Sequence, residues 1–267
     1  MGRSTALLAT AVATLLAAAA AQGQEVVTRD LGESANPEAV ACTYSFTASN
    51  IKWCLNANGN LVSLQSPGTN EHIRWGPSGR AFEGYILCVN GALKAHDMAF
   101  WPSEGFGPPT VIAAPTATGI TIRRKTLDGA FQLDQKWSRD NTERDLTLQM
   151  TLKNLSGPAA NVELGRVTDV NVDFSLDKFS IDLFDRTRNA LWFRDPVNGR
   201  DGVTMKLLTL NPNYYVVVAA ATNSIDCNYP QLAFPGGPKD VMGYARYSFG
   251  AMSSGAQKVV KLGYRVE

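Results

Sequence analysis

The chain has 267 residues, 45% of them hydrophobic, with 25 basic against 24 acidic side chains and two histidines. So even a balance announces no polyanion-binding surface and argues against nucleic acid as a partner, because the cluster Arg123-Arg124-Lys125 is offset by Asp128, Asp134 and Asp140. The length suits one large β domain with a sizeable core.

The chain opens with Arg3, an apolar run over residues 6–21 and the small-residue exit Ala20-Ala21-Gln22-Gly23. That is the pattern of an export signal, too short for a membrane span, so residues 1–23 are expected to be a signal peptide and the product to be secreted or periplasmic. Cleavage there leaves roughly 240 residues. Residues 24–41 are polar, carry Gly32 and Pro37, and show no sustained periodicity, which predicts a flexible leader. No later run is long and apolar enough to cross a membrane as a helix. Residues 42–267 are expected to form a single domain.

From Cys42 onward short β-branched or aromatic runs alternate with the turn dipeptides Asn58-Gly59, Asn90-Gly91, Asp128-Gly129, Asn198-Gly199 and Asp201-Gly202. If Asn58-Gly59 is a two-residue turn, Leu55 faces Val62 and Trp53 faces Leu64; a preceding turn at Ser49-Asn50 sets Phe46 against Trp53 and Tyr44 against Leu55. Residues 101–115, with Pro102, Gly105, Gly107, Pro108, Pro109 and Pro115, predict a long surface loop docked through its aromatic side chains, and residues 229–240 a second one. The clearest strand covers residues 145–153, where Leu146, Leu148, Met150 and Leu152 face one way and Thr147, Gln149 and Thr151 the other. Further strands are expected near 119–125, 130–137, 161–173, 179–184, 189–194, 203–210, 214–221, 242–249 and 257–266. A dozen or more strands with few or no helices define an all-β protein, a large antiparallel β-sandwich.

All four cysteines, Cys42, Cys54, Cys88 and Cys227, follow the export signal, and an oxidising compartment would let them form two disulfides. A zinc site lacks its usual spacing, since there is no CxxC pair. Cys42 shares the parity of Tyr44 and Phe46 whereas Cys54 has the opposite one. Of the three connectivities, strand parity therefore favours Cys54 with Cys88 and Cys42 with Cys227, unless a bulge intervenes.

Three groups of side chains carry candidate chemistry. Asp169, Asn171 and Asp173 alternate along one strand face and could hold calcium, although the glycine and closing glutamate of a calcium loop are missing. His96 and Asp97, followed by Glu104, are the candidate acid–base group for a sugar, but glycosidases need two carboxylates at a set separation. Trp75 and Trp101 border loops and are the candidate sugar-stacking platforms, while Trp53 and Trp137 have core parity. There is no GxSxG elbow. The sequon Asn154-Leu155-Ser156 stands at a strand end.

The stretch Gly59-Asn60-Leu61-Val62-Ser63-Leu64-Gln65-Ser66-Pro67-Gly68, followed by Glu71-His72-Ile73, resembles the opening hairpin of galactose-mutarotase-like supersandwich proteins. Leu148 to Asn154, with Arg166 and Asp169, resembles the central strands of exported bacterial β-sandwich proteins without assigned activity. The resemblance implies a supersandwich-like fold. Mutarotases use paired histidines and a late glutamate; here His72 and His96 both lie early and the late glutamate is the terminal Glu267. The expectation is accordingly a non-catalytic protein that binds a glycan or another surface component, needing no cofactor beyond calcium. Its alternatives are a supersandwich carbohydrate-active enzyme and a structural envelope or matrix protein.

Overall fold

A computed structural model describes residues 42–48, 51–65, 71–74, 83–99, 101–139, 145–155, 158–168, 183–185, 190–194, 201–207, 214–218, 227 and 243–266. Among the described residues there are strands and no helix. A four-stranded sheet runs in chain order through β1 (Tyr44–Thr47), β2 (Lys52–Leu55), β3 (Leu61–Gln65) and β4 (Glu71–Arg74). A six-stranded sheet joins β5 (Glu83–Val89), β6 (Ala92–Met98) and β7 (Trp101–Glu104) to β12 (Ala160–Thr168), β16 (Tyr214–Val218) and β17 (Gly243–Met252), in the order β16-β17-β12-β5-β6-β7. An eight-stranded sheet takes β8 (Thr110–Thr116), β9 (Gly119–Lys125), β10 (Phe131–Arg139), β11 (Asp145–Asn154), β13 (Leu183–Asp185), β14 (Ala190–Arg194), β15 (Asp201–Leu207) and β18 (Gln257–Val266), in the order β13-β14-β15-β18-β11-β10-β9-β8.

One core cluster unites the three sheets. Leu87, Val162, Leu164 and Tyr247 come from the six-stranded sheet, Leu133, Trp137, Leu148, Met150 and Leu262 from the eight-stranded one, and Trp53, Leu55, Leu61 and Leu64 from the four-stranded one. The alternation of β11 explains the arrangement: Leu146, Leu148, Met150 and Leu152 are wholly buried and the residues between them half-buried, as expected from period two. Each such side chain stabilises the fold by about 1.5–3 kcal/mol. Antiparallel sheets packed face to face over a shared core make this an all-β sandwich.

The turn chemistry is local and specific. Asn90 and Gly91 adopt φ of 53° and 79°, the double left-handed geometry of a two-residue hairpin that joins β5 to β6. The turn expected at Asn58-Gly59 is longer than two residues. Asn56 Oδ1 accepts from the amides of Asn58 at 3.0 Å and Asn60 at 2.9 Å, and its carbonyl accepts from Gly59 at 3.1 Å, leaving Gly59 at φ +86°. The register consequently slips between Cys54 and Leu55: Trp53 still faces Leu64, but Leu55 faces Leu61 rather than Val62. The bulge turns Val62 toward a small second cluster with Cys54 and Ala99. Asp201-Gly202 also departs from expectation, since it opens β15; Arg194 pairs with Asp201 and Phe193 with Val203, so Gly202 is the extra residue of a bulge.

The proline-rich stretch 101–115 contains two strands rather than a loop. Pro115 is tolerated because β8 is the edge of its sheet, where one row of amides needs no partner, and its pairing with β9 is broken by two register shifts. Phe106 docks as expected, with 5% exposure.

The disulfides are Cys42–Cys54 and Cys88–Cys227, not the pairing favoured by strand parity. The ladder of β1 begins at Tyr44, so Cys42 lies in the irregular lead-in and is free of the alternation that the parity argument imposed. Cys88 faces outward on the six-stranded sheet, where it is fully buried and bonded to Cys227. Two disulfides accord with an oxidising compartment.

Asn154 is also buried, and its side-chain amide donates to the carbonyls of Met252 at 3.0 Å and Pro158 at 3.4 Å. A glycan on that nitrogen is incompatible with the fold. Expression in a glycosylating secretory host is therefore expected to give no glycan-dependent mobility shift, and Asn154→Ala to cost about 1–3 kcal/mol of stability in denaturant unfolding.

Candidate functional site

The register of the six-stranded sheet places Asp97, Tyr85, Arg166 and Ala245 in one row across β6, β5, β12 and β17. Glu83 lies one inward step along β5. From the eight-stranded sheet Arg124, Gln135, Trp137 and Tyr264 occupy positions whose strand neighbours are apolar core residues such as Ile122, Leu133 and Leu262. The Asn56–Asn60 hairpin loop of the four-stranded sheet enters between them and contributes its carbonyls. Side chains from both large sheets and the loop thus converge on one buried centre.

Arg166 is its hub. Its Nε donates to Glu83 Oε1 and its Nη2 to Oε2 at 2.5 Å, its Nη1 donates to Gln135 Oε1 at 2.7 Å, and Nη2 reaches the Gly59 carbonyl at 3.3 Å. The guanidinium also stands 5.4 Å from the Tyr85 ring centre and 5.3 Å from that of Trp137, where the aromatic faces favour a cation. Glu83 is saturated: Tyr264 donates to Oε1 at 2.7 Å and the Leu61 amide to Oε2 at 2.7 Å. Gln135 and Trp137 donate at 3.0 Å to the carbonyls of Asn58 and Gly59, tying the loop in place.

A second pair stands beside it. Arg124 Nη1 donates to Asp97 Oδ2 at 2.6 Å and to the Tyr85 hydroxyl at 3.2 Å, its Nε to the Gly107 carbonyl at 2.7 Å and its Nη2 to Ser103 Oγ at 2.8 Å. Asn60 Nδ2 donates to Asp97 Oδ1. Two carboxylates therefore meet two guanidiniums, all at 2% exposure or less. Burial pushes the Glu83 carboxyl above its ordinary value against the opposing pull of Arg166, Tyr264 and the Leu61 amide. Burial likewise lifts both phenols, Tyr85 with help from Asp97 and Tyr264 with help from Glu83, so both remain protonated donors. The arrangement is a neutral clamp across three sheets, with its acids occupied and enclosed.

The sequence-derived candidates that lie on described residues fall only partly here. Asp97 is inside the clamp, His96 is buried on the adjacent strand position, and Glu104 is exposed on β7. The structure does not bring Asp97 and Glu104 to one solvent-facing site. Trp75, Asp169, Asn171 and Asp173, along with the Trp101 side chain and the expected leader and signal, lie outside the described residues. Among the described residues no group of three or more histidines, cysteines or carboxylates is placed to hold a metal ion. Sequence reasoning missed Glu83, Arg124, Gln135 and Tyr264. Its available signal was polar residues at apolar parity, such as Gln135 between Leu133 and Trp137.

A peripheral pair yields a pH test. The Lys94 ammonium and the Thr126 hydroxyl hold the Asp128 carboxyl down at about 2, below its ordinary 3.8. Because the folded value is depressed, this stabilisation is complete above the ordinary value and is lost as pH falls toward 2. Partial exposure and screening keep it below about 1 kcal/mol. Asp128→Asn is expected to flatten that part of the stability profile between pH 4 and 2, read by denaturant unfolding.

No protein-family model matches the chain, and no curated protein matches it in sequence. Solved structures are similar in fold. A bacterial glucoamylase complexed with acarbose matches with a TM-score of 0.54 and 13% identity over 88% of this chain, which spans only 34% of the glucoamylase. A putative aldose 1-epimerase from Escherichia coli K12 matches with a TM-score of 0.50 and 9% identity, covering 84% of this chain and 98% of that one. A GalM/aldose epimerase homologue from C. elegans gives 0.51 and 10%, with the same coverages. At these identities the likeness is one of fold: the chain shares the β-sandwich of aldose-epimerase homologues.

Proposed function

We propose that this is an exported carbohydrate-binding β-sandwich protein that does not turn its ligand over. The observation that carries the proposal is the state of the acids: Glu83 and Asp97, the carboxylates drawn together at the centre of the described sandwich, are enclosed and ion-paired. Sugar hydrolysis needs one carboxyl free to donate a proton and another facing the sugar or its attacking water. A sealed, neutral clamp offers neither. The sandwich shared with a glucoamylase and aldose-epimerase homologues supports a carbohydrate ligand, although a fold alone hosts many functions. Trp75 and Trp101 are proposed as stacking platforms, and Asp169, Asn171 and Asp173 as a calcium site.

The second reading is a carbohydrate-active enzyme using acids near residues 97–104 and 169–185. It is favoured by the match to aldose-epimerase chains over 98% of their length. A glycan array with and without millimolar calcium, coupled to hydrolysis and epimerisation assays on every sugar bound, separates the two. Binding without turnover is expected; conversion of a bound sugar would overturn the proposal.

A further inference from the structure

The even overall charge conceals an uneven surface. On the outer face of the eight-stranded sheet, register aligns Lys125, Gln132, Lys153 and Gln257 in one row and Thr121, Lys136, Gln149 and Lys261 in another. Lys125 and Lys136 are exposed and Lys153 half-buried. The four strands β9, β10, β11 and β18 carry two carboxylates, and each has an arginine beside it: Asp134 is held by Arg123 at 2.7 Å and Asp145 lies 3.5 Å from Arg265. Counted over these four strands, the outward lysines give the face its net positive charge.

Their spacing follows from sheet geometry. Lys125 and Lys153 flank Gln132 two strand spacings apart, about 10 Å, and Lys136 stands four residues along β10 from Gln132, about 13 Å away. Between the cations lie amides and hydroxyls at Thr121, Gln132, Gln149 and Thr151, which can bond neutral sugar hydroxyls. The geometry points to this face as a docking surface for a linear anionic polysaccharide, one bearing carboxylate or sulfate groups at intervals. The inference rests on the carbohydrate-binding proposal and names the ligand class and the face.

Charge complementarity selects an anion, and the chemistry of the face selects a polysaccharide among anions. No aromatic side chain stands in these outward positions to stack a nucleobase. Val259 is the sole outward apolar side chain larger than alanine on the four strands, too little to enter a lipid surface. Dispersed lysines separated by hydrogen-bonding groups match a chain whose charges are separated by hydroxyls.

The test measures binding of the full exported chain and of K125Q/K136Q/K153Q to polygalacturonate, dextran sulfate, neutral dextran, oligodeoxythymidylate and phosphatidylserine vesicles. An exposed lysine outside this face, in K52Q, is the control, and unfolding curves establish that all variants fold. The intact chain is expected to bind polygalacturonate or dextran sulfate, with affinity falling on added salt and about tenfold or more in the triple variant, K52Q remaining unchanged. Which of the two polymers binds assigns carboxylate or sulfate. Equal affinity of the triple variant, or tighter binding of the oligonucleotide or the vesicles, would overturn the inference. Salt-insensitive binding of neutral dextran, unchanged in the triple variant, would overturn this face while leaving the carbohydrate proposal standing; no binding to any sugar on this panel or the array would remove both.

Discussion

Arg166→Met is expected to lower the free energy of unfolding by about 3–5 kcal/mol, because it leaves the Glu83 carboxylate buried without its counter-ion. The variant also frees the Gln135 amide oxygen and removes a cation from between two aromatic rings. The loss carries a pH signature. With Arg166 gone, burial still lifts the Glu83 carboxyl and its principal opponent is absent, so the folded value stands further above the ordinary 4.5. A carboxyl raised in the folded state favours folding below its unfolded value, and that advantage is lost as pH rises through the folded value. The stability gap between the intact protein and the variant should therefore be smallest near pH 4 and widen toward pH 7. E83Q/R166M should recover about 1–3 kcal/mol of the loss at pH 7 and remove the widening, since the neutral amide can accept from the Leu61 amide through its oxygen and donate through its nitrogen to the Tyr264 hydroxyl, whose bond reverses. Denaturant melts at the two pH values measure both effects.

Removing the Cys88–Cys227 disulfide as C88A/C227A is expected to cost about 2–5 kcal/mol, and more than C42A/C54A costs. The bonds close segments with sequence separations of 139 and 12, so the longer one restrains far more of the unfolded chain. Cys88 is moreover wholly buried on the central strand β5, and truncation there adds a packing defect. Non-reducing peptide mapping should give Cys42 joined to Cys54 and Cys88 to Cys227. Unfolding free energies from midpoint and m-value together establish the order of the two losses, the m-value rising more where the longer restraint is removed from the unfolded chain.

The contrast between what the sequence disclosed and what it concealed has a physical basis. Period-two alternation made β11 and β9 readable to within a residue, because each has one dry face and one wet face. Asn90-Gly91 was readable because it demands positive φ at both positions. The wider Asn56–Asn60 loop was not, since the Asn56 side chain substitutes for ladder bonds and slips the register by one. The irregular lead-in holding Cys42, which lies ahead of the regular β1–β2 ladder, defeated the parity argument for the disulfides. The clamp was concealed for a different reason: Glu83, Asp97, Arg124 and Arg166 are scattered over 84 residues and meet only through the register of β6, β5 and β12 against β9. Asp97 drew attention through its neighbour His96, yet its partner is Arg124 and its role is to balance charge. The candidate sugar platforms and calcium ligands were read from residue type and position along the chain, which do not specify where side chains converge.

The enclosure of the acids is tested most directly by modifying the native protein with a water-soluble carbodiimide and an amine, then mapping the labelled carboxyls by mass spectrometry. Glu104 and Asp128 should label readily, whereas Glu83 and Asp97 should stay unmodified until the protein is unfolded. Labelling of Glu83 or Asp97 in the folded protein at the rate of Glu104 would contradict the sealed clamp and reopen these carboxylates to catalysis.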